Sequence, residues 1–358
     1  MIIGVYGAQS IAVSLSRAWK SLSGKSIEFF IVTNNKGNPP ILDSKPVLEV
    51  QKLATRFSEI ERGNIEIYIA TPENVQPEIE AILEENGFFH HHRVSSEVYA
   101  RIMELYYAGE KHFPLLHPLP MGSRKSFVRC FVALSEMDKP LRSHAPYEEW
   151  MEPIQVGATL GKCIIAAIRD DSGENISHKN RNYSELTALY WIWKNHLLGE
   201  DGGHMYYGLM QYRRRLMIST DDLMRLEANE MDVVLPYPMM YEPDISAHPK
   251  RYLKDSDWQV LLTALRELQP VYAEAFSEVL AQPYFYNYNI ILARKPVLAD
   301  YCSWLFPVLE RVEELSVPKG ADRADRYIGY IGEVLETLYF MYHRDDLHIV
   351  HTGCRFVV

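Results

Sequence analysis

The sequence predicts an α/β protein built from two units in series. From residue 1 to about 108, apolar strand-like runs alternate with helix-like stretches, the signature of a parallel sheet covered by helices. The same alternation resumes after HFPLLHPLPMGSRKS (112–126), a proline-rich, poorly periodic segment that reads as a linker. A chain of 358 residues, 47% hydrophobic, is long enough for two cores at about 100–200 residues per domain. The expected division is 1–111, a linker over 112–126, and 127–358.

In the first unit IIGVYG, IEFFIVT and IEIYIAT read as strands, and 9–22, about 50–59 and 74–86 as helices. The run His90, His91, His92 reads as a solvated strand or turn, because neighbours on a strand point to opposite faces and cannot share a metal. In the second unit FVRCFVALS, YYGLMQY, MDVVLP and YFYNYNIILAR read as strands. Helices are expected over 183–196, 296–315 and 323–344, with one long helix or two over 255–281. The long irregular connections between these elements are where functional loops are expected.

Bulk properties exclude several classes. A net charge of -10 repels nucleic acid and an anionic leaflet, so an anionic ligand must meet a local basic cluster. Cys130, Cys163, Cys302 and Cys354 are far apart and form no CxxC pair, which fits a reduced, cytoplasmic compartment better than a zinc or disulfide framework. No signal-like opening and no apolar run long enough to span a bilayer occurs.

GVYGAQSIA places Gly4 and Gly7 at a strand-to-helix turn, where backbone amides could hold a phosphate. A nicotinamide fingerprint is incomplete: a third glycine is missing, and the second strand ends in Thr33-Asn34-Asn35 without an acidic residue for a ribose. With IVTNN, PVLEV and IYIATPENV, this unit resembles the small Rossmann-like domain that precedes the catalytic part of some bacterial sugar-modifying enzymes, which implies a nucleotide-sugar or regulatory role. Asp255-Ser256-Asp257 has the Asp-x-Asp pattern of a metal-diphosphate site, but its place at the start of DWQVLLTALREL reads as helix capping.

Two features of the second unit point to a ligand. Asn182 with Glu185 three residues on reads as a capping box, but Asn175, Lys179 and Asn180, with Asp170 and Asp171 upstream, form an amide-rich loop suited to sugar hydroxyls or a ribose. YYGLMQYRRRL then ends a buried strand in Tyr212, Arg213, Arg214 and Arg215. Ligands of open α/β sheets sit beyond strand carboxyl ends, and arginine's fork suits phosphate oxygens.

PIQVGATL, DDSGENISHKNRNYSELTALYWIWKN, YYGLMQYRRRL, MDVVLPYP, YNYNIILAR, YCSWLFPVL and IGYIGEVLETLY together resemble the bacterial domain-of-unknown-function family 4422 over about 125–358. Its members lie in capsular and exopolysaccharide clusters and are regarded as glycosyltransferases of the GT-A type, some linked to galactofuranose transfer. The resemblance implies a GT-A-like domain that moves a sugar from a nucleotide-sugar donor to a growing, lipid-linked glycan at the inner face of the membrane, with peripheral membrane contact through acceptor or partner. Ser177, Asn182, Tyr183, Glu185, Asn289 and Gly329 with Glu333 match the family pattern; Gln211, Ile290 and Val334 depart from its usual His, Met and Arg.

On this reading Arg213 and Arg214 neutralise the leaving diphosphate, and Asp170, Asp171, Asn175, Lys179, Asn180, Tyr212 and Asn289 contact the donor. Glu333 ranks first as the base that deprotonates the acceptor, ahead of Asp232 and Glu185. A divalent manganese or magnesium ion is left open through Asp170 or Asp171. The rivals are a non-catalytic nucleotide-sugar-binding or regulatory protein and an NAD-dependent sugar-nucleotide enzyme.

Overall fold

In the computed structural model, residues 2–110, 112–141, 146–199, 203–247, 252–319 and 322–357 are described. The first unit runs β1 (Ile2–Tyr6), α1 (Ser10–Ser23), β2 (Phe29–Val32), β3 (Ile41–Leu42), β4 (Lys45–Glu49), α2 (Val50–Arg56), α3 (Glu59–Arg62), β5 (Ile65–Ile69), α4 (Gln76–Glu85), β6 (His91–Arg93) and α5 (Ser96–Tyr107). Its sheet has the order β3-β4-β2-β1-β5-β6, parallel except for the β3–β4 pair. The strand order reverses at β1, whose neighbours are β2 and β5, leaving a crevice at the carboxyl ends.

The histidine run contributes the edge strand β6, where His92 reaches Glu66 and His91 faces Glu80 and Glu84. The β3–β4 hairpin and α5 were not expected from periodicity. Lys45–Glu49 is short and only half apolar, and α5 hides behind the polar histidine segment.

The second unit runs β7 (Val128–Leu134), β8 (Met151–Gln155), β9 (Ile168–Arg169), α6 (Asn180–Tyr183), α7 (Leu186–Ile192), β10 (Tyr206–Gln211), β11 (Arg214–Leu216), α8 (Thr220–Ala228), β12 (Val233–Pro236) and β13 (Met239–Met240). It continues with α9 (Asp255–Leu268), α10 (Pro270–Leu280), β14 (Tyr284–Phe285), β15 (Ile291–Arg294), α11 (Lys295–Leu315), α12 (Tyr327–Tyr342), β16 (Ile349–Thr352) and β17 (Cys354–Phe356).

The main path of the second sheet is β16-β12-β15-β10-β7-β8-β9; β15 runs antiparallel to both neighbours, and β11 pairs with β10 and β17. Pro270 divides the 255–281 segment into α9 and α10, since its ring cannot continue the preceding helix. Asp257 accepts the Lys254 N–H at the start of α9 and pairs with the buried Arg323, so its carboxylate is fully engaged by the fold.

The segment 112–126 is tied to the second unit. Leu116 N–H donates to His351 O at 3.0 Å, Ser126 N–H to Leu223 O at 3.0 Å, and His117 bonds the buried Asp222. One apolar core contains residues of both units, with α1 against β13 and the Tyr107 hydroxyl on Pro238 O at 2.8 Å. The four cysteines are free. Among the described residues no helix is long and apolar enough to cross a membrane.

Candidate functional site

Both sheets open onto one cavity of about 1450 Å³. Its walls are the chain segments leaving the carboxyl ends of β1, β2 and β5 on one side, and of β7, β8 and β10 on the other. Loops at these ends are free of the ladder and carry polar side chains into the crevice.

The cationic part of the cavity starts where β10 turns into β11. Gln211 ends the strand and donates to Tyr288 O at 2.8 Å. Arg213 caps the turn, with Nη2 on Lys139 O at 3.1 Å and its guanidinium 5.2 Å from the Tyr212 ring. Arg214 lies between Tyr288 and Phe356, 4.1 and 4.8 Å from the ring centroids, so its charge is held in place away from bulk water. Arg215 leaves this group: it donates to Pro146 O at 2.9 Å and lies over Tyr147. A third cation comes from α12, whose N-cap Arg326 adopts φ 62° and donates from Nε to Ser184 Oγ at 2.9 Å.

Four carboxylates line the same cavity: Glu136 and Asp138 in the segment leaving β7, where they accept the N–H groups of Lys162, Cys163 and Ser135, Glu185 from the start of α7, and Glu333 from α12. Glu185 Oε1 accepts from Asn289 Nδ2 at 2.7 Å, and that amide also donates to Gly329 O at 3.2 Å. Burial raises the Glu185 carboxyl above its ordinary range, opposed by the Asn289 bond and Arg326 and reinforced by Glu333.

Tyr288 and Asn289, in the loop that interrupts the expected strand YFYNYNIILAR, have φ of 81° and 50°. Two consecutive left-handed residues that are not glycine are costly, by about 1–3 kcal/mol each, and such strain concentrates at functional sites. The Asn287 and Asn289 Oδ1 atoms are buried without a partner.

One turn beyond Glu333, Glu336 is 1% exposed and its Oε2 has no partner. Burial raises its pKa well above the ordinary carboxylate value, with added repulsion from Glu333 and Glu185. Folding therefore favours the protonated acid. Stability is full below the ordinary value of about 4.3 and falls as pH rises through the raised value. Glu336→Gln is expected to raise the melting midpoint by a few degrees at pH 8 and to give no gain at pH 4. A midpoint that does not rise at pH 8 would contradict a buried acid there.

Of the residues singled out in the sequence, Asn180, Tyr212, Arg213, Arg214 and Glu333 line the cavity. Asn289 stands directly behind it as the support of Glu185. The others are engaged elsewhere. Asp170 is fully buried and accepts from Gly157 N–H at 2.9 Å, Ala158 N–H at 3.1 Å, Ser177 Oγ at 2.5 Å and Thr187 Oγ1 at 2.7 Å. Both its oxygens are filled by the fold, so it ties loops together and cannot also hold a donor.

Asp171 pairs with Arg169, and Asn175 shapes its own turn through Gly173 O and Ser177 N–H. Lys179 forms an ion pair with Glu313 at 2.6 Å and covers the Tyr183 ring. Asp232 is at the amino end of β12, opposite the cavity, where it accepts the His348 N–H at 2.9 Å and faces Arg294. It is not placed to act as a base. With Asp170 saturated and Asp171 paired, neither fits the divalent ion considered for them from sequence. Among the described residues no group of three or more His, Cys, Asp or Glu side chains converges as a metal site.

The Asn182–Glu185 capping box does not form. Ser184 at φ 51° ends α6, Asn182 donates to Arg323 O at 2.7 Å, and Glu185 is released to face the cavity. Sequence reasoning thus gave Glu185 a structural role it does not have, and it missed Arg326 altogether. The family-pattern match at Glu185 was the signal that could have recovered it.

Comparison with known proteins adds two findings. Residues 138–344, more than half of the chain, match the family model described as domain of unknown function DUF4422. Among solved structures the chain is similar to the apo form of the bifunctional glycosyltransferase WbbM, at 26% sequence identity and a TM-score of 0.53, over 64% of this chain and 45% of that one. The chain thus spans less than half the length of that protein. No curated protein matches.

Proposed function

This chain belongs to the DUF4422 family, and we propose that it is a GT-A-type glycosyltransferase that moves a hexosyl group from a nucleotide-sugar donor to a glycan. Galactofuranose is the sugar we favour. The acceptor is a growing capsular or exopolysaccharide chain, lipid-linked and met at the cytoplasmic face of the membrane. The observation that carries the reading is the gathering of Arg213, Arg214 and Arg326 with Glu185 and Glu333 in one cavity at the carboxyl ends of the strands. A leaving diphosphate needs fixed positive charge, and an acceptor hydroxyl needs a base.

In the proposed inverting displacement, Glu333 takes the proton of the acceptor hydroxyl as its oxygen bonds to the anomeric carbon of the donor. The bond from that carbon to the phosphate oxygen breaks with its electron pair, and the arginines hold the departing nucleoside diphosphate. Gln211, where the family usually has His, donates from Nε2 to Tyr288 O and supports that loop; its amide does not act as an acid or base. Val334 is 1% exposed and packs in the core, so the family's usual Arg at this place has no counterpart in the cavity wall.

Thermal-shift measurements with UDP, GDP, CMP and NAD test the class. A nucleoside diphosphate at a hundred times its dissociation constant is expected to add about 2.7 kcal/mol of stability. Stabilisation by NAD and by none of the nucleotides would overturn the transferase reading.

A further inference from the structure

The cavity is divided by charge. Among the described residues lining it, every Asp, Glu, Lys or Arg belongs to the second unit, whereas the polar side chains of the first unit are uncharged, Gln9, Ser10, Thr33, Asn34, Asn38 and Thr71 beside Tyr6 and small or apolar neighbours. Gly7 makes this wall possible. It has φ 130°, and a Cβ there would lie 2.7 Å from Ala70 O, so the turn leaving β1 can approach the segment after β5 only without a side chain.

Gln9, the N-cap of α1, makes no side-chain capping bond, and the first turn holds no acidic residue. The N–H groups of that turn are therefore available to an acceptor oxygen. A second, independent observation comes from the facing loop. Asn287 is 5% exposed and lines the same cavity; its Nδ2 donates to the Tyr241 hydroxyl at 3.0 Å, and its Oδ1 has no partner. A buried amide oxygen left unpaired is costly, and a ligand hydroxyl would satisfy it.

We propose that the first unit forms the acceptor subsite, and that the acceptor end it takes is an uncharged sugar. This rests on the transferase reading, which it extends by naming the side of the cavity the acceptor enters. Side-chain amides and hydroxyls both donate and accept, which matches sugar hydroxyls, and the wall carries no Lys or Arg to pair with a phosphate. Tyr241, Tyr252 and Tyr330 supply flat apolar surface with polar edges in the same cavity, where a pyranose or furanose ring can lie. The volume agrees: about 1450 Å³ exceeds the roughly 300–1,000 Å³ of a site for one small ligand. With the donor diphosphate on the arginines, space remains across the cavity for a second sugar, within reach of Glu333.

The test is calorimetric titration of the full chain, with UDP present, against p-nitrophenyl glycosides of galactose, glucose, N-acetylglucosamine and rhamnose, and against galactose 1-phosphate. Gln9 and Asn34 are exposed, so Gln9→Ala and Asn34→Ala are expected to fold normally. At least one neutral glycoside should bind the wild type, and the double variant should lose roughly tenfold in affinity for it while keeping its UDP affinity.

The subsite is overturned if the wild type takes no glycoside, if only the sugar phosphate binds, or if the variant weakens UDP and spares the glycoside. Glycoside binding that depends on Gln9 and Asn34, in a protein that takes no nucleoside diphosphate, would leave the subsite standing and overturn the transferase reading instead.

Discussion

Glu333→Gln is expected to lower acceptor-dependent nucleotide release by about 10²–10⁴-fold, the span that a positioned general base contributes, with donor affinity unchanged. Glutamine keeps the size of the side chain while removing its charge and its ability to take a proton. The loss should therefore fall on turnover and leave the melting temperature near that of the wild type. A variant with full turnover would remove Glu333 as the base and turn attention to Glu185, which faces the same cavity. Glu185 is the weaker candidate because its oxygen already accepts from Asn289 and its proton is held to higher pH by burial.

Arg214→Ala is expected to weaken UDP by about 10²-fold, a loss typical of a desolvated charged anchor. The cation is clamped between two aromatic rings, so its position is set before any phosphate arrives and little side-chain entropy is lost on binding. Arg213→Ala should cost less, since its guanidinium is more exposed. Arg214→Lys should rescue poorly, because an ammonium cannot offer the planar fork or stack between the rings. Equal UDP affinity in wild type and Arg214→Ala, measured at low salt where exposed charges count most, would show that the diphosphate lies elsewhere.

Much of this architecture was legible because periodicity reports burial. VRCFVAL and YYGLMQ are nearly continuous apolar runs, as strands covered on both faces must be, and both lie centrally in the second sheet. What stayed hidden depended on distant partners. Asp170 and Asp171 looked like ligands because acidic residues upstream of an amide-rich loop often are. Only the fold brings Gly157, Ala158 and Thr187 around Asp170.

Glu185 looked like a cap because Asn-x-x-Glu fits one locally, and nothing local announces the left-handed Ser184 that breaks it. YFYNYNIILAR read as a single strand on its aromatic and β-branched content. Its asparagines, which tolerate positive φ more readily than most residues, were the hint of a turn inside it. Which wall of the cavity carries charge was out of reach altogether, since it depends on how two sheets meet.

The left-handed pair Tyr288–Asn289 has a practical consequence for anyone altering this protein. Glycine at either position would relieve backbone strain, but it would also delete a packed ring or a buried amide and free the unfolded chain, so the relief is offset. The same change would strip the ring from Arg214 or the amide from Glu185. The contacts that hold the two residues left-handed are thus the same ones that position Arg214 and Glu185, so robustness and turnover should be lost together when either side chain is removed.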